Sequence, residues 1–126
     1  MTNNTLEHIN ITVSDPDSLA EVLCRIFDWD IRWAGAAKDN GYTVHVGNKS
    51  SYLALYTHED VKSLQQSHFT LNHLNHIGIV VDELNNIEDR VKQEGFSTFN
   101  HGDYEPGKRF YFMIDKNLEM EVITYK

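Results

Sequence analysis

Apolar and polar residues alternate at the start of the chain, with Ile9, Ile11 and Val13 on one side and His8, Asn10 and Thr12 on the other. A period of two predicts a β-strand with one aliphatic and one polar face. Ser14-Asp15-Pro16 follows, a capping side chain with proline in the first turn, and predicts the start of a helix. Leu19, Val22, Leu23, Ile26 and Phe27 then recur at helical spacing and form one stripe to be buried. Trp29 to Ala36 reads as a second strand and Lys38-Asp39-Asn40-Gly41 as a turn. Tyr42 to Val46 is a third strand, with Val44 and Val46 on one face and Thr43 and His45 on the other. Gly47-Asn48-Lys49 turns again, and Ser51 to Thr57 is a fourth strand. The predicted order is β-α-β-β-β.

The polar stretch 58–70 lacks strand periodicity and reads as a linker, after which the order repeats. Leu74 to Val81 predicts a strand whose aliphatic face carries Ile77, Ile79 and Val81. Leu84, Ile87 and Val91 make a helix stripe ended by Gly95 at a C-cap. Phe96 to Asn100 is a short strand, 101–107 a loop rich in turn formers, and Arg109 to Ile114 with Leu118 to Tyr125 a closing hairpin. The expected fold class is α+β, a single domain over 1–126. Module one spans 1–57, the linker 58–70 and module two 71–126. Each sheet carries its helix on one face, so the other face is left to pack around something.

The repeat extends to particular residues. Residues 6–15 read LEHINITVSD and residues 74–83 read LNHIGIVVDE, so His8 and His76 are equivalent positions 68 residues apart. SYLALY (51–56) matches LEMEVI (118–123), which aligns Ala54 with Glu121 at an offset of 67. Two histidines and a glutamate kept in register by duplication look like a metal site at a pseudo-twofold axis. Glu119 lies two residues earlier on the same strand face and is the alternative carboxylate. His45 shares the parity of the polar face, as a general base or as a plain surface histidine.

Composition narrows the partners. The net charge of −8 argues against a nucleic-acid or anionic-membrane surface, which needs clustered Lys and Arg. No apolar stretch approaches the roughly 18 residues of a membrane span, and the N-terminus MTNNTLEH has no signal-peptide pattern. Cys24 is the sole cysteine, which excludes an internal disulfide and is consistent with a cytoplasmic protein; its neighbours in the first helix make it a packed thiol.

Taken together, the paired β-α-β-β-β modules, His8 and His76 at their starts and Glu121 near the end of the second resemble the vicinal oxygen chelate superfamily. This is the group of glyoxalases, bleomycin resistance proteins and extradiol dioxygenases. The resemblance implies paired incomplete β-barrels with a shared cup-shaped site. It maps the four usual metal positions to His8, Ala54, His76 and Glu121. Ala54 cannot bind metal, so His8, His76 and Glu121 remain. That set is similar to the triad of the extradiol dioxygenases and fosfomycin-resistance thiol transferases. Two neutral imidazoles and one carboxylate leave a divalent cation with open positions, able to chelate a substrate through adjacent oxygens. Fe or Mn suits such a set, with Zn or Ni as other options. A small-molecule substrate is implied, met by a pocket that includes Asn10, Tyr52, Tyr56 and Tyr111, with Trp33, Tyr104 and Arg109 near its mouth.

The resemblance also implies a homodimer and an enzyme of the lyase, dioxygenase or thiol-transferase type. Ala54 speaks against glyoxalase I chemistry, which uses a glutamate at that position. The other reading is a metal-free protein of the bleomycin-resistance type that sequesters a small cationic molecule.

Overall fold

The computed structural model of the chain describes residues 3–126, which divide into two compact units, the first ending at Ser63 and the second running over Leu64–Lys126. In the first unit the elements are β1 (His8–Thr12), α1 (Pro16–Phe27), β2 (Asp30–Ala37), a 3-10 turn at Lys38–Asn40, β3 (Gly41–Gly47) and β4 (Tyr52–Thr57). The strands form one sheet in the order β1-β4-β3-β2, with β1 parallel to β4 and the other pairs antiparallel. The second unit repeats this with β5 (Ile77–Val80), α2 (Leu84–Gln93), β6 (Thr98–Tyr104), β7 (Gly107–Asp115) and β8 (Leu118–Thr124). Its sheet order is β5-β8-β7-β6, again with only the first pair parallel. Both sheets are open, and the fold is the expected α+β.

Each helix forms for local reasons and is held by burial. Asp15 caps α1, its Oδ1 accepting from the Ser18 amide at 3.2 Å, and Pro16 occupies the first turn. Leu19, Ala20, Leu23 and Ile26 are buried, and α1 packs on the strands that carry Val44, Val46, Leu53 and Leu55. In the second unit Ile87 and Val91 of α2 are buried, as are Phe110, Phe112, Met120 and Val122 of β7 and β8. Each fully buried Leu, Ile or Phe side chain contributes about 1.5–3 kcal/mol. Gly95 ends α2 with φ +97, as a left-handed cap requires.

Three boundaries differ from expectation. The strand expected over 74–81 is only Ile77–Val80, and no strand runs from His58 to His76. The polar linker is therefore longer than 58–70, and the division between units falls at Ser63/Leu64. Residues 101–107 are not a free loop: β6 continues through His101 to Tyr104 and β7 begins at Gly107, a hairpin turning at a cis Glu105-Pro106 bond. The turn formers there close the hairpin, and cross-strand bonds hold residues whose own preferences favour loops.

Candidate functional site

In each unit, the sheet face turned away from the helix carries the chemistry. His8, Asn10 and Thr12 of β1 stand level with Tyr52, Ala54 and Tyr56 of β4, and Ala54 pairs in turn with His45 of β3. In the second unit Glu121 of β8 is opposite Gly78 of β5 and Tyr111 of β7.

His8 is oriented by the residue before it. Its Nδ1 lies 2.9 Å from Glu7 Oε1, and a carboxylate accepts, so Nδ1 carries the proton and donates. That hydrogen bond holds the Glu7 carboxyl below the usual carboxylate range. Nε2 has no hydrogen-bonding partner among the described residues. His76 is flanked in the same way, with Asn75 Oδ1, also from the preceding residue, 2.7 Å from its Nδ1. A ligating histidine is usually prepared in this way, its second nitrogen fixed by an oxygen acceptor.

His76 Nε2 faces Glu121 Oε1 at 3.2 Å. The other carboxylate oxygen, Oε2, accepts from Arg109 Nη1 at 2.9 Å and from the Tyr111 hydroxyl at 3.1 Å. Arg109 is itself held by Nη2 donating to Gly107 O at 3.2 Å and by the Tyr104 ring, whose centroid is 4.5 Å away. Burial pushes the Tyr111 hydroxyl up in pKa, and the Glu121 carboxylate pushes it further, so it stays a donor. The Glu121 carboxylate is therefore balanced by these donors without a bound cation. Tyr111, expected in the pocket, and Arg109, expected near its mouth, both anchor this carboxylate.

Glu119, the alternative carboxylate, is spoken for by His68 of the linker, whose Nε2 lies 3.0 Å from Glu119 Oε1. Neither unit by itself gathers three His, Cys, Asp or Glu side chains into a metal-holding group among the described residues. The donor chemistry suits a cation nonetheless. Glu121 Oε1 is an acceptor 3.2 Å from His76 Nε2, so the contact is bridged by a proton on that nitrogen, a place a metal ion can take instead.

The other expected site residues have distinct surroundings. Tyr52 is stacked between His8 and His45, at 4.8 Å and 4.7 Å between ring centroids. Burial lowers the pKa of His45, and the nearby His8 and Arg32 lower it further, which keeps the ring neutral. Asn10 is exposed beside Ala54 on the same face. Tyr56 is committed to the 3-10 turn, its hydroxyl donating to Lys38 O at 2.9 Å, and it lines an open cavity of about 420 Å³ with Thr12 and His58. Burial and the charges of Asp30 and Glu21 push the Cys24 thiol up, so it is no nucleophile.

His58, His68 and His101, unmarked by any sequence pattern, make polar staples. His58 Nε2 donates to Asp39 O at 2.7 Å, and its Nδ1 accepts from the Asp60 amide. His101 Nε2 and Thr98 Oγ1 each donate to Glu88 Oε2 at 2.6 Å, tying β6 to α2. No local signal marks such partners, since the residues of the α2–β6 staple are 10 and 13 apart.

No helix among the described residues is long and apolar enough to cross a membrane. A search of curated proteins finds no match to the chain. Among solved structures, it is similar to a glyoxylase/bleomycin resistance protein/dioxygenase domain from Frankia sp. EAN1pec. The TM-score is 0.82 at 19% identity, over 99% of this chain and 100% of that one. A glyoxalase family protein from Enterococcus faecalis aligns with a TM-score of 0.77 at 13% identity, over 94% of this chain and 96% of that one. The fosfomycin resistance protein FosX from Listeria monocytogenes, solved with Mn(II) and sulfate, aligns at 0.74 and 19% identity, over 98% of this chain and 93% of that one. At such identities the likeness shows the fold alone. The profile of the Glyoxalase/Bleomycin resistance protein/Dioxygenase superfamily matches residues 5–118, and the chain belongs to that superfamily.

Proposed function

We propose that the chain is a metal-dependent small-molecule enzyme in which His8 Nε2, His76 Nε2 and Glu121 Oε1 hold one divalent cation. The observation that carries this is the matched preparation of the two histidines. Glu7 and Asn75, each immediately before its histidine, set a side-chain oxygen 2.9 Å and 2.7 Å from Nδ1, the arrangement that orients a ligating histidine for coordination through Nε2. Glu121 supports the reading as a one-oxygen ligand, with Oε2 anchored by Arg109 and Tyr111 and Oε1 turned to His76. Mn or Fe is favoured over Zn or Ni for a His-His-carboxylate set with open positions, and the manganese reported with the Listeria FosX is in keeping with that choice.

When bound, the cation supplies Lewis-acid chelation of two adjacent substrate oxygens. The chain's own groups do the rest. His45, neutral and without a hydrogen-bonding partner among the described residues, takes a proton from the substrate at a ring nitrogen. Tyr52 holds the His8 and His45 rings parallel, and Asn10 offers an amide to substrate on the same face. The reaction is of the lyase, dioxygenase or thiol-transfer type, and His8 is contributed by the same chain or by a second copy in a homodimer.

The Arg109–Glu121 ion pair favours a second reading, a metal-free protein that sequesters a small cationic molecule, because it satisfies the carboxylate without a metal. Elemental analysis of untagged protein reconstituted with Mn(II), compared with His8→Ala and His76→Ala, decides between them. About one equivalent per chain, lost in both variants, is expected; less than about a tenth of an equivalent sinks the metal reading.

A further inference from the structure

One aromatic ring from each strand of the first sheet lines up on the face that carries His8. The centroid separations are 4.8 Å for His8–Tyr52, 4.7 Å for Tyr52–His45 and 5.3 Å for His45–Trp33, so the row crosses β1, β4, β3 and β2 in their spatial order. The hydrophobic core lies on the opposite face, under α1, so packing of that core does not explain the row. It ends in Trp33, which is 51% exposed. The indole lies along the strand over Gly35, where a Cβ would come within 3.0 Å of the ring.

A bulge adds a charge to the row. Ile31 pairs with Val46 and Trp33 with His45, so Arg32 is an extra residue in β2. In a regular strand, neighbouring residues point to opposite faces. Here Arg32 and Trp33 turn to the same one, as bulges permit, and the Arg32 guanidinium sits 4.3 Å from the Tyr52 ring centroid. Arg32 donates once, through Nη1 to Asn48 O at 3.2 Å, and no carboxylate lies within ion-pair distance among the described residues. Glu7, whose charge Arg32 does affect, already accepts from His8 and Tyr52. In a chain of net charge −8, a cation turned onto an aromatic shelf and left with free N–H donors is complementary to an anion.

We infer that this face binds a planar aromatic anion, its ring stacked on Trp33 beside His45 and its negative oxygens on Arg32. As the class of substrate, this rests on the proposed metal reading; as a binding site, it rests on the first unit alone. The ring finds an exposed π-face of matching geometry, and the guanidinium offers paired donors to a carboxylate. An aliphatic anion gains only the second contact and a neutral aromatic only the first.

Calorimetric titration of the full chain with salicylate, glycolate and salicylamide, each with Mn(II) and with excess EDTA, tests this. Salicylate is expected to bind about tenfold more tightly than either other probe. Trp33→Leu should erase the preference over glycolate while Trp33→Phe retains most of it, and Arg32→Gln should erase the preference over salicylamide. Both residues lie on an edge strand and are exposed, and thermal melts confirm that the variants fold. Equal binding of salicylate and glycolate, or a preference that survives Trp33→Leu, overturns the inference. So does an absence of salicylate binding, or a change in oligomeric mass on Trp33→Leu showing that a second copy covers the face. A ring preference that persists in EDTA, in a chain that takes up no Mn(II), keeps the inference while the metal reading fails. Mn(II)-dependent binding with no ring preference does the reverse.

Discussion

His76 Nε2 lies 3.2 Å from Glu121 Oε1, while the second oxygen of that carboxylate accepts from Arg109 and Tyr111. One residue thus has two faces, an outer oxygen open to a cation and an inner oxygen already satisfied. Arg109 and Glu121 are both largely buried, with side-chain exposures of 11% and 12%. Removing one partner of such a pair leaves an uncompensated charge.

Arg109→Gln should therefore lower stability in the presence of chelator, read as a fall in the urea unfolding midpoint. Mn(II) should restore part of this loss if Glu121 is a ligand. An equal loss with and without Mn(II) would mark the ion pair as purely structural.

Glu7 and Asn75 offer a sharper view of the histidines. Each sets a side-chain oxygen within hydrogen-bond distance of Nδ1 of the histidine that follows it. Glu7→Ala and Asn75→Ala should each weaken Mn(II) binding by about 10–100-fold, the usual effect of removing such a partner. Stability without metal should change little for Glu7→Ala, because Glu7 is exposed. Unaltered metal affinity in both variants would show that the hydrogen bonds do not prepare ligands.

The staple between α2 and β6 predicts acid sensitivity in the second unit. Burial tends to raise the Glu88 carboxyl. The hydrogen bonds from His101 and Thr98, with the charges of His101 and Lys92, outweigh it and hold Glu88 below its ordinary value. A depressed carboxylate stabilises the fold above its unfolded pKa, and that stabilisation is lost as pH falls through the folded one. The wild type should lose stability as pH drops below about 4.3. Glu88→Gln should flatten that part of the curve. Denaturant midpoints from pH 7 to pH 3 measure it, and parallel curves for the two proteins would refute the assignment.

Two turns leave no room for a side chain. A Cβ at Gly107 would collide with the Thr124 carbonyl oxygen, and one at Gly47 with that of Ser51. Both obstacles are backbone, so Gly107→Ala should lower stability by about 1–3 kcal/mol, as overpacking does. Gly95→Ala, at an open position with φ +97, should cost only the strain of a left-handed conformation, about 1–2 kcal/mol. A thermal shift series that ranks Gly95→Ala as the worse of the two would contradict this.

The periodicity of the chain determined its architecture. Alternation at Ile9, Ile11 and Val13, the helical stripe from Leu19 to Phe27 and the internal repeat suffice for two β-α-β-β-β units. They also place His8 and His76 in equivalent positions, since which side of a strand a residue occupies is a local property of period two. Ends of elements were less legible: 101–107 is rich in turn formers, yet most of it lies in strands because cross-strand hydrogen bonds outweigh local preference. The partners of the candidate site residues were not legible at all. Arg109 reaches Glu121 because β7 and β8 pair with Tyr111 opposite Glu121, which brings Arg109 diagonally alongside. Arg32 shares a face with Trp33 only because β2 bulges there, against the parity the sequence implies. Register and bulges follow from how whole strands bury their apolar sides together. A pattern read along one strand contains no information about that choice, so the fold was written locally and the chemistry of the site was decided by tertiary packing.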